Sequence, residues 1–106
     1  MEENNYSIKF AQVASEDLDH IYAYITEQLF TDQVAKELLE KIECHIMRLK
    51  NFPLSCSMVD DIYLKSKGYR KLIVGNYIVF YLVNDSEKQV FIMRVLYGAQ
   101  NYQDFL

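Results

Sequence analysis

Hydrophobic side chains are densest in residues 68–98, where three runs rich in β-branched and aromatic residues follow one another. The runs cover residues 69–74, 77–83 and 89–97. Such side chains fit the pleated, half-buried surface of a sheet, so each run predicts a strand. Gly75 and Asn76 form a two-residue link that tolerates the positive φ of a tight hairpin, and the polar residues 84–88 form a second loop. The stretch therefore predicts a three-stranded antiparallel meander.

Upstream of the meander, the apolar spacing changes from strand-like to helical. Residues 6–10 alternate large apolar and polar side chains, which predicts a first strand with one buried face. A helix is predicted to follow from Ser15, with Ser15 as its N-cap and with Glu16 and Asp17 in its first turn. The apolar stripe of this helix consists of Leu18, Ile21, Tyr22, Ile25 and Leu29.

A second amphipathic helix is predicted after a short break at residues 30–32, and Pro53 should stop it. Its apolar face consists of Ala35, Leu38, Leu39, Ile42, Ile46 and Leu49. Two helices joined by so few residues form a hairpin that can cover one side of the sheet, which predicts an α+β fold. Residues 53–67 show no period and predict a connecting loop with at most one short turn of structure, whereas the aromatic tail at residues 99–106 should return to the body.

Length and composition predict one ordered domain over residues 1–106. The chain is 51% hydrophobic and 25% charged, an ordinary globular balance. No apolar run reaches the ~20 residues that cross a bilayer, and the acidic, polar start does not look like a secretory signal, so we expect a cytoplasmic protein without a membrane partner. Cys44 and Cys56 should then be free thiols, and neither stands at a zinc-ligand spacing from a histidine. We expect no metal and no cofactor.

The net charge of −4 does not favour a protein that grips nucleic acid by its phosphates. One local basic cluster nevertheless stands out: Lys65, Lys67, Arg70 and Lys71, with Arg94 later in the chain. Glycine-rich phosphate loops and the familiar hydrolase and metalloprotease motifs are absent. His20 and His45 fall within predicted helices, where boundary positions are commoner than catalytic ones, and the adjacent Asp60 and Asp61 should be solvated.

The meander resembles the RelE/ParE family of toxins from bacterial type II toxin-antitoxin systems. The resemblance rests on RKL at residues 70–72, VGNY at 74–77, VFY at 79–81 and VFIMRVLYG at 90–98, and with the upstream helices it covers nearly the whole chain. It implies that the N-terminal strand lies beside the meander in a mixed sheet. It also implies a cognate antitoxin as partner, in a hetero-oligomer, and we expect the free side of the sheet to be open to another macromolecule.

Some family members cut ribosome-bound mRNA without a metal, and the resemblance implies which residues of this chain would do so. A metal-free ribonuclease needs groups that take and donate protons and cations that stabilise the charged phosphorane. The candidates are Lys71, Arg70, Arg94, Tyr97 and Tyr102.

Two features of the sequence weaken this match. Ile78 stands where the cleaving members have a phosphate-binding arginine, and residues 99–101 contain no Arg or Lys. Arg70 and Lys71 also point to opposite faces of one strand, so at most one of them can line a given cleft. Tyr77 and Tyr81, in turn, alternate on one strand face and are predicted to line the core.

Three functions therefore compete. The first is a ParE-like toxin that binds a macromolecular target, DNA gyrase, and in which Arg94 could pair with a carboxylate of the antitoxin. The second is a RelE-like mRNA interferase that acts on the ribosome, and the third is a family member that has lost its activity.

Overall fold

The structure is a computed structural model that describes residues 5–29, 32–98 and 102–106. Its helices and strands are β1 (Ser7–Phe10), α1 (Gln12–Leu29), α2 (Asp32–Met47), α3 (Ile62–Ser66), β2 (Arg70–Val74), β3 (Tyr77–Asn84) and β4 (Gln89–Tyr97). The four strands form one sheet in the order β1-β4-β3-β2, with β1 parallel to β4 and the other pairs antiparallel. The predicted α+β fold, with an N-terminal strand in a mixed sheet, a helix pair and a meander, is confirmed.

The helix pair and one face of the sheet enclose the larger apolar core. Ile42 and Ile46 of α2 are fully buried there, as are Val79 and Tyr81 of β3. Tyr77 packs against the same core, so the prediction that both tyrosines line it is confirmed. From the predicted apolar stripes, this core contains Leu18, Ile21, Leu38, Leu39, Ile42, Ile46 and Leu49. Asp32, placed in the predicted break, begins α2, and α2 ends at Met47, before the predicted stop at Pro53. The side chain of Leu29 and the rest of the break, residues 30 and 31, lie outside the described residues.

The first helix begins earlier than its sequence predicts, so Ser15 as N-cap was wrong. The backbone N–H of Ala11 donates to the carbonyl oxygen of Ile92 at 2.9 Å, which ties the chain to β4 at the end of β1. The helix starts immediately afterwards, and the Ser15 N–H already donates to the Ala11 carbonyl oxygen at 3.2 Å. Asp17 consequently lies beyond the first turn. It binds β4 instead of interacting with the N-terminal end of the helix dipole.

The other face of the sheet is not open at its centre, in contrast to our expectation. A second apolar cluster forms there from Val59, Leu64, Tyr69, Phe80 and Leu96. Tyr102 stacks on Phe80 with ring centroids 5.0 Å apart, so the tail does return to the body. Residues 53–67 contain the short helix α3, and its N-cap Asp61 accepts a hydrogen bond from the Leu64 N–H at 2.9 Å instead of being merely solvated.

At the edge of β4 next to α1, a side chain of α1 satisfies a backbone N–H group. β1 pairs with β4 only as far as Ile92. Directly after this point, the register between β4 and β3 shifts, so that Met93 has no opposite residue on β3. The carboxylate of Asp17 accepts the N–H of Val95 at 3.0 Å and both the Nε and the Nη2 of Arg94 at 2.8 Å. Asp17 therefore stands in for the missing strand, because it binds the backbone and the side chain of this edge together.

Replacing Asp17 should destabilise the fold strongly. We expect Asp17→Ala to lower the free energy of unfolding by about 3 kcal/mol, because it leaves a largely buried guanidinium unpaired and a backbone N–H unsatisfied. Urea denaturation of both proteins measures the difference. Asp60→Ala is the matched control: it removes the Lys71 ion pair at 3.6 Å, but the Asp60 side chain is 92% exposed, so stability should change little. Equal losses in the two variants would contradict this role of Asp17.

Tyr81 should make the protein sensitive to alkali. Burial raises the pKa of its phenol well above the ordinary value of 10.0, and its hydroxyl donates to the Pro53 carbonyl oxygen at 2.9 Å. Its stabilising contribution is complete below pH 10 and declines as the pH rises further, because the unfolded chain then releases a proton that the folded chain retains. We expect Tyr81→Phe to cost about 1 kcal/mol at pH 7 and to show a shallower loss of stability above pH 10. Urea denaturation at pH 7 and above pH 10 tests this. If stability fell equally steeply with pH above 10 in both proteins, the prediction would be contradicted.

Candidate binding cleft

A cleft of about 740 Å³ opens between α1 and the C-terminal half of β4, beside the edge that Asp17 satisfies. Its lining consists of Asp17, His20, Ile21, Tyr24, Tyr77, Arg94, Val95, Leu96, Tyr97 and Phe105. Asp17, His20, Ile21 and Tyr24 share one face of α1, because they recur at the three- and four-residue spacing of a helix. The sequence therefore brings a helix face and a strand end together at one site.

The charges within the cleft cancel. The Asp17 and Arg94 side chains form a two-point ion pair and are only 9% and 16% exposed. The hydrogen bond from Arg94 to Asp17 raises the pKa of the guanidinium further. Arg94 also donates to the carbonyl oxygen of Phe105 at 3.3 Å and lies over the Phe105 ring at 5.2 Å. Arg94, for which pairing with a carboxylate of an antitoxin was one alternative, is thus bound to a carboxylate of its own chain.

Tyrosine rings form the walls of the cleft. Tyr77 and Tyr97 meet edge to face, with ring centroids 5.8 Å apart and an interplanar angle of 72°. Tyr24 on α1 is 61% exposed and Tyr97 is 49% exposed. Burial, and then the nearby Tyr24 and Tyr97, raise the pKa of Tyr77, so its phenol remains protonated at neutral pH. The cleft therefore offers uncharged aromatic surface.

Of the five site residues predicted from the family resemblance, Arg94 and Tyr97 line this cleft. Lys71 opposes Phe80 across the sheet and Phe80 opposes Arg94, so all three share the face away from the helices. Tyr102 stacks on Phe80, so aromatic rings occupy the sheet surface between the two cations.

Arg70 lies on the opposite face of β2 from Lys71, as predicted. It opposes Tyr81 of the larger core, and its Nη1 donates to the carbonyl oxygen of Cys56 at 2.7 Å. Lys67 lies over the ring of Tyr63 at 4.8 Å. Lys67, Arg70 and Lys71 of the basic cluster therefore contact separate local partners.

Sequence reasoning did not identify Tyr24, His20 or Phe105 as site residues. Tyr24 follows His20 by four residues, so a shared helix face could be inferred, but nothing in the sequence shows that β4 lies opposite it. One compositional signal could have pointed to this helix. Helix α1 contains Glu16, Asp17, Asp19 and Glu27 but no lysine or arginine.

Two other kinds of site are missing from the residues that the structure describes. They contain no group of three or more His, Cys, Asp or Glu residues arranged to hold a metal ion. Across the same residues, no helix is both long enough and apolar enough to span a bilayer.

Comparisons with known proteins agree with this architecture. The fold matches that of a chromosomal ParDE toxin-antitoxin system from P. aeruginosa, with a TM-score of 0.73, 20% identity, and coverage of 89% of this chain and 97% of the other. It also matches the RelBE2 toxin-antitoxin complex from Mycobacterium tuberculosis, with a TM-score of 0.61, 19% identity, and coverage of 88% and 98%. The isolated RelE toxin of E. coli matches with a TM-score of 0.51, 18% identity, and 94% coverage of both chains. At these identities, the matches show the fold alone.

The family assignment rests on the sequence rather than on the fold. No individual curated protein matches it. The model of the ParE toxin of type II toxin-antitoxin systems, parDE, matches residues 8–102, which is most of the chain. This chain therefore belongs to the ParE toxin family of type II toxin-antitoxin systems.

Proposed function

We propose that this chain is a binding toxin, which arrests growth by docking on a protein target, DNA gyrase, and is neutralised by a cognate antitoxin. The observation that carries the proposal is the Asp17–Arg94 ion pair. A ribonuclease of this fold needs cations that are free to meet a phosphate, and the Arg94 guanidinium already binds a carboxylate at two points.

The other cations support the same conclusion. Lys71 pairs with Asp60 at 3.6 Å, and Arg70 donates to a backbone carbonyl on the other face of the sheet. The net charge of −4 works against binding to RNA. A protein target demands instead a surface with exposed aromatic anchors, and the cleft between α1 and β4 supplies one in Tyr24 and Tyr97.

An antitoxin partner is proposed on two other grounds. The M. tuberculosis relative of this fold is a toxin-antitoxin complex. Exposed apolar side chains are frequent here, and they include Phe52, Ile62, Ile73 and Tyr97. Surface of this kind is what a partner protein covers, so we expect a hetero-oligomer with the antitoxin.

Cleavage of mRNA is the second candidate, and one observation favours it. Lys71 and Arg94 share a face of the sheet, and Tyr102 stands between them. If an RNA phosphate displaced Asp60 from Lys71 and Asp17 from Arg94, both cations and the Tyr102 hydroxyl would be available for a metal-independent cut there. Primer extension on cellular mRNA after induced expression distinguishes the candidates, because codon-phased breaks belong only to the interferase.

Purified protein should inhibit gyrase supercoiling, and Tyr24→Ala should weaken the inhibition about tenfold, as expected when an exposed aromatic anchor is removed from an interface. Supercoiling of relaxed plasmid against toxin concentration is the measurement. Tyr63→Ala is the matched control, since Tyr63 is an equally exposed helical tyrosine on α3, outside the cleft, and it should shift the inhibition curve less than about twofold. Supercoiling that proceeds normally at high toxin concentration would refute gyrase as the target.

Lys71→Ala should leave growth arrest on expression unchanged, because in a binding toxin its amine has no proton or phosphate to handle. Colony counts after induction without antitoxin measure this, alongside immunoblots that show equal protein levels. If the substitution abolished arrest and codon-phased mRNA breaks together, the interferase would replace the binding toxin. Wild-type protein that fails to arrest growth would instead identify an inactive family member.

A further inference from the structure

The aromatic cleft differs from an ordinary apolar groove in the arrangement of its rings. Tyr77 and Tyr97 meet at 72°, which forms a corner of two walls, and Tyr24 of α1 also lines the cleft. Aromatic faces carry partial negative charge, and rings at an angle to one another form the kind of cage that holds an ammonium or guanidinium group.

The cleft already holds one cation in this manner. The guanidinium of Arg94 lies 5.2 Å from the centre of the Phe105 ring while Asp17 neutralises its charge. Because the two opposite charges cancel, Arg94 does not repel a second cation. Phe105 is engaged by this contact, whereas Tyr24, which also lines the cleft, is 61% exposed.

By helical spacing, two glutamates of α1 lie beside its lining face, at the rim of the cleft. Glu16 lies four residues before His20 and Glu27 lies three residues after Tyr24, so both flank the lining face of α1. Both glutamates belong to the exposed part of the helix, and α1 contributes no lysine or arginine to offset them. A chain with a net charge of −4 adds a long-range field of the same sign.

We propose that the cleft between α1 and β4 receives a lysine or arginine side chain from a segment of a partner protein, with the cation held against Tyr24, Tyr77 and Tyr97 and steered by Glu16 and Glu27. The inference rests on the proposed binding function and specifies the chemistry of the partner at that site. An acidic segment would meet like charge at the rim, and a purely apolar one would leave the rim glutamates without a counter-charge. The occupant is therefore a basic residue flanked by apolar ones.

The test is an NMR titration of the full chain, labelled in its tyrosine rings, with blocked pentapeptides. The parent peptide is Ala-Leu-Arg-Leu-Ala, and three others carry lysine, glutamine or glutamate at the centre. The arginine and lysine peptides should shift the Tyr24, Tyr77 and Tyr97 signals and bind about fivefold more tightly than the glutamine peptide, the difference that a cation on an exposed ring supplies. The glutamate peptide should bind most weakly.

Two variants separate the ring contribution from the rim charges. Tyr24→Leu keeps apolar bulk and should reduce the preference for arginine over glutamine to below about twofold, with Tyr63→Leu as the control that leaves it unchanged. The double variant Glu16→Gln with Glu27→Gln should weaken arginine binding about twofold. Its control, Glu40→Gln with Glu43→Gln on α2, changes the net charge equally outside the cleft and should weaken binding less. Raising the ionic strength to about 1 M should abolish the rim contribution, because the Debye length falls to about 3 Å.

Equal affinity for the arginine, glutamine and glutamate peptides would overturn the proposal. So would a preference for glutamate, or tyrosine signals that no peptide shifts at millimolar concentration. The result is independent of the target. If the chain inhibits gyrase but shows no preference for basic peptides, only the cation site is refuted. If it prefers basic peptides but has no effect on gyrase, the target is refuted and the cation site stands.

Discussion

The carboxylate of Asp17 is the contact on which the arrangement of α1 and β4 depends. It binds the Val95 N–H and the Arg94 guanidinium, and so joins a helix to the edge of a strand 77 residues later in the sequence. Without it, the second half of β4 would present unpaired backbone groups where β1 has already ended. A single acidic side chain thus satisfies a backbone N–H that a longer β1 would otherwise pair, and the cleft lies beside it.

The two faces of the sheet are covered by different amounts of the chain. The helix face is covered by α1 and α2 and holds Tyr81, whose hydroxyl is satisfied by the Pro53 carbonyl oxygen, so the loop after α2 is tied to the centre of the sheet. Among the described residues, the other face is covered by α3, the residues around it and the tail, with Tyr102 and Leu106 packed on Phe80 and its neighbours. A small cover of this kind contributes less buried area than a helix pair, so the stability of the chain resides mainly on the helix face.

Local chemistry explains which parts of the fold could be predicted from the sequence. The strands follow from β-branched runs and from the Gly75-Asn76 turn, and the predicted residues 69–74 differ by one from the observed Arg70–Val74. The start of α1 could not be predicted, because it is set by a hydrogen bond from Ala11 to Ile92 across the sheet rather than by a capping side chain. The Asp61 cap of α3 was readable as an aspartate before a short apolar segment, and the adjacent Asp60 obscured it.

The site was less accessible to sequence reasoning than the fold. Arg94 and Tyr97 were named from the family resemblance and do line the cleft, but their partners Asp17 and Tyr77 are distant in sequence. An isolated sequence shows a helical stripe without showing what lies beside it, so Tyr24, which is outside the apolar stripe, could not be distinguished from an ordinary exposed residue. The opposite faces of Arg70 and Lys71 were predictable, since strand geometry alone determines them.

Gly98, the last residue of the stretch that carries the resemblance, has a steric explanation. Its N–H donates to the Asn76 carbonyl oxygen at 2.7 Å, and a Cβ at this position would lie 3.2 Å from that same oxygen. A side chain at this position would therefore crowd the close approach of the end of β4 to the β2–β3 turn. Arg94, Val95 and Gly98 all help to form this border of the sheet. A sequence similarity that is confined to these positions therefore reflects the construction of the sheet. Two chains that share it can still recognise different molecules.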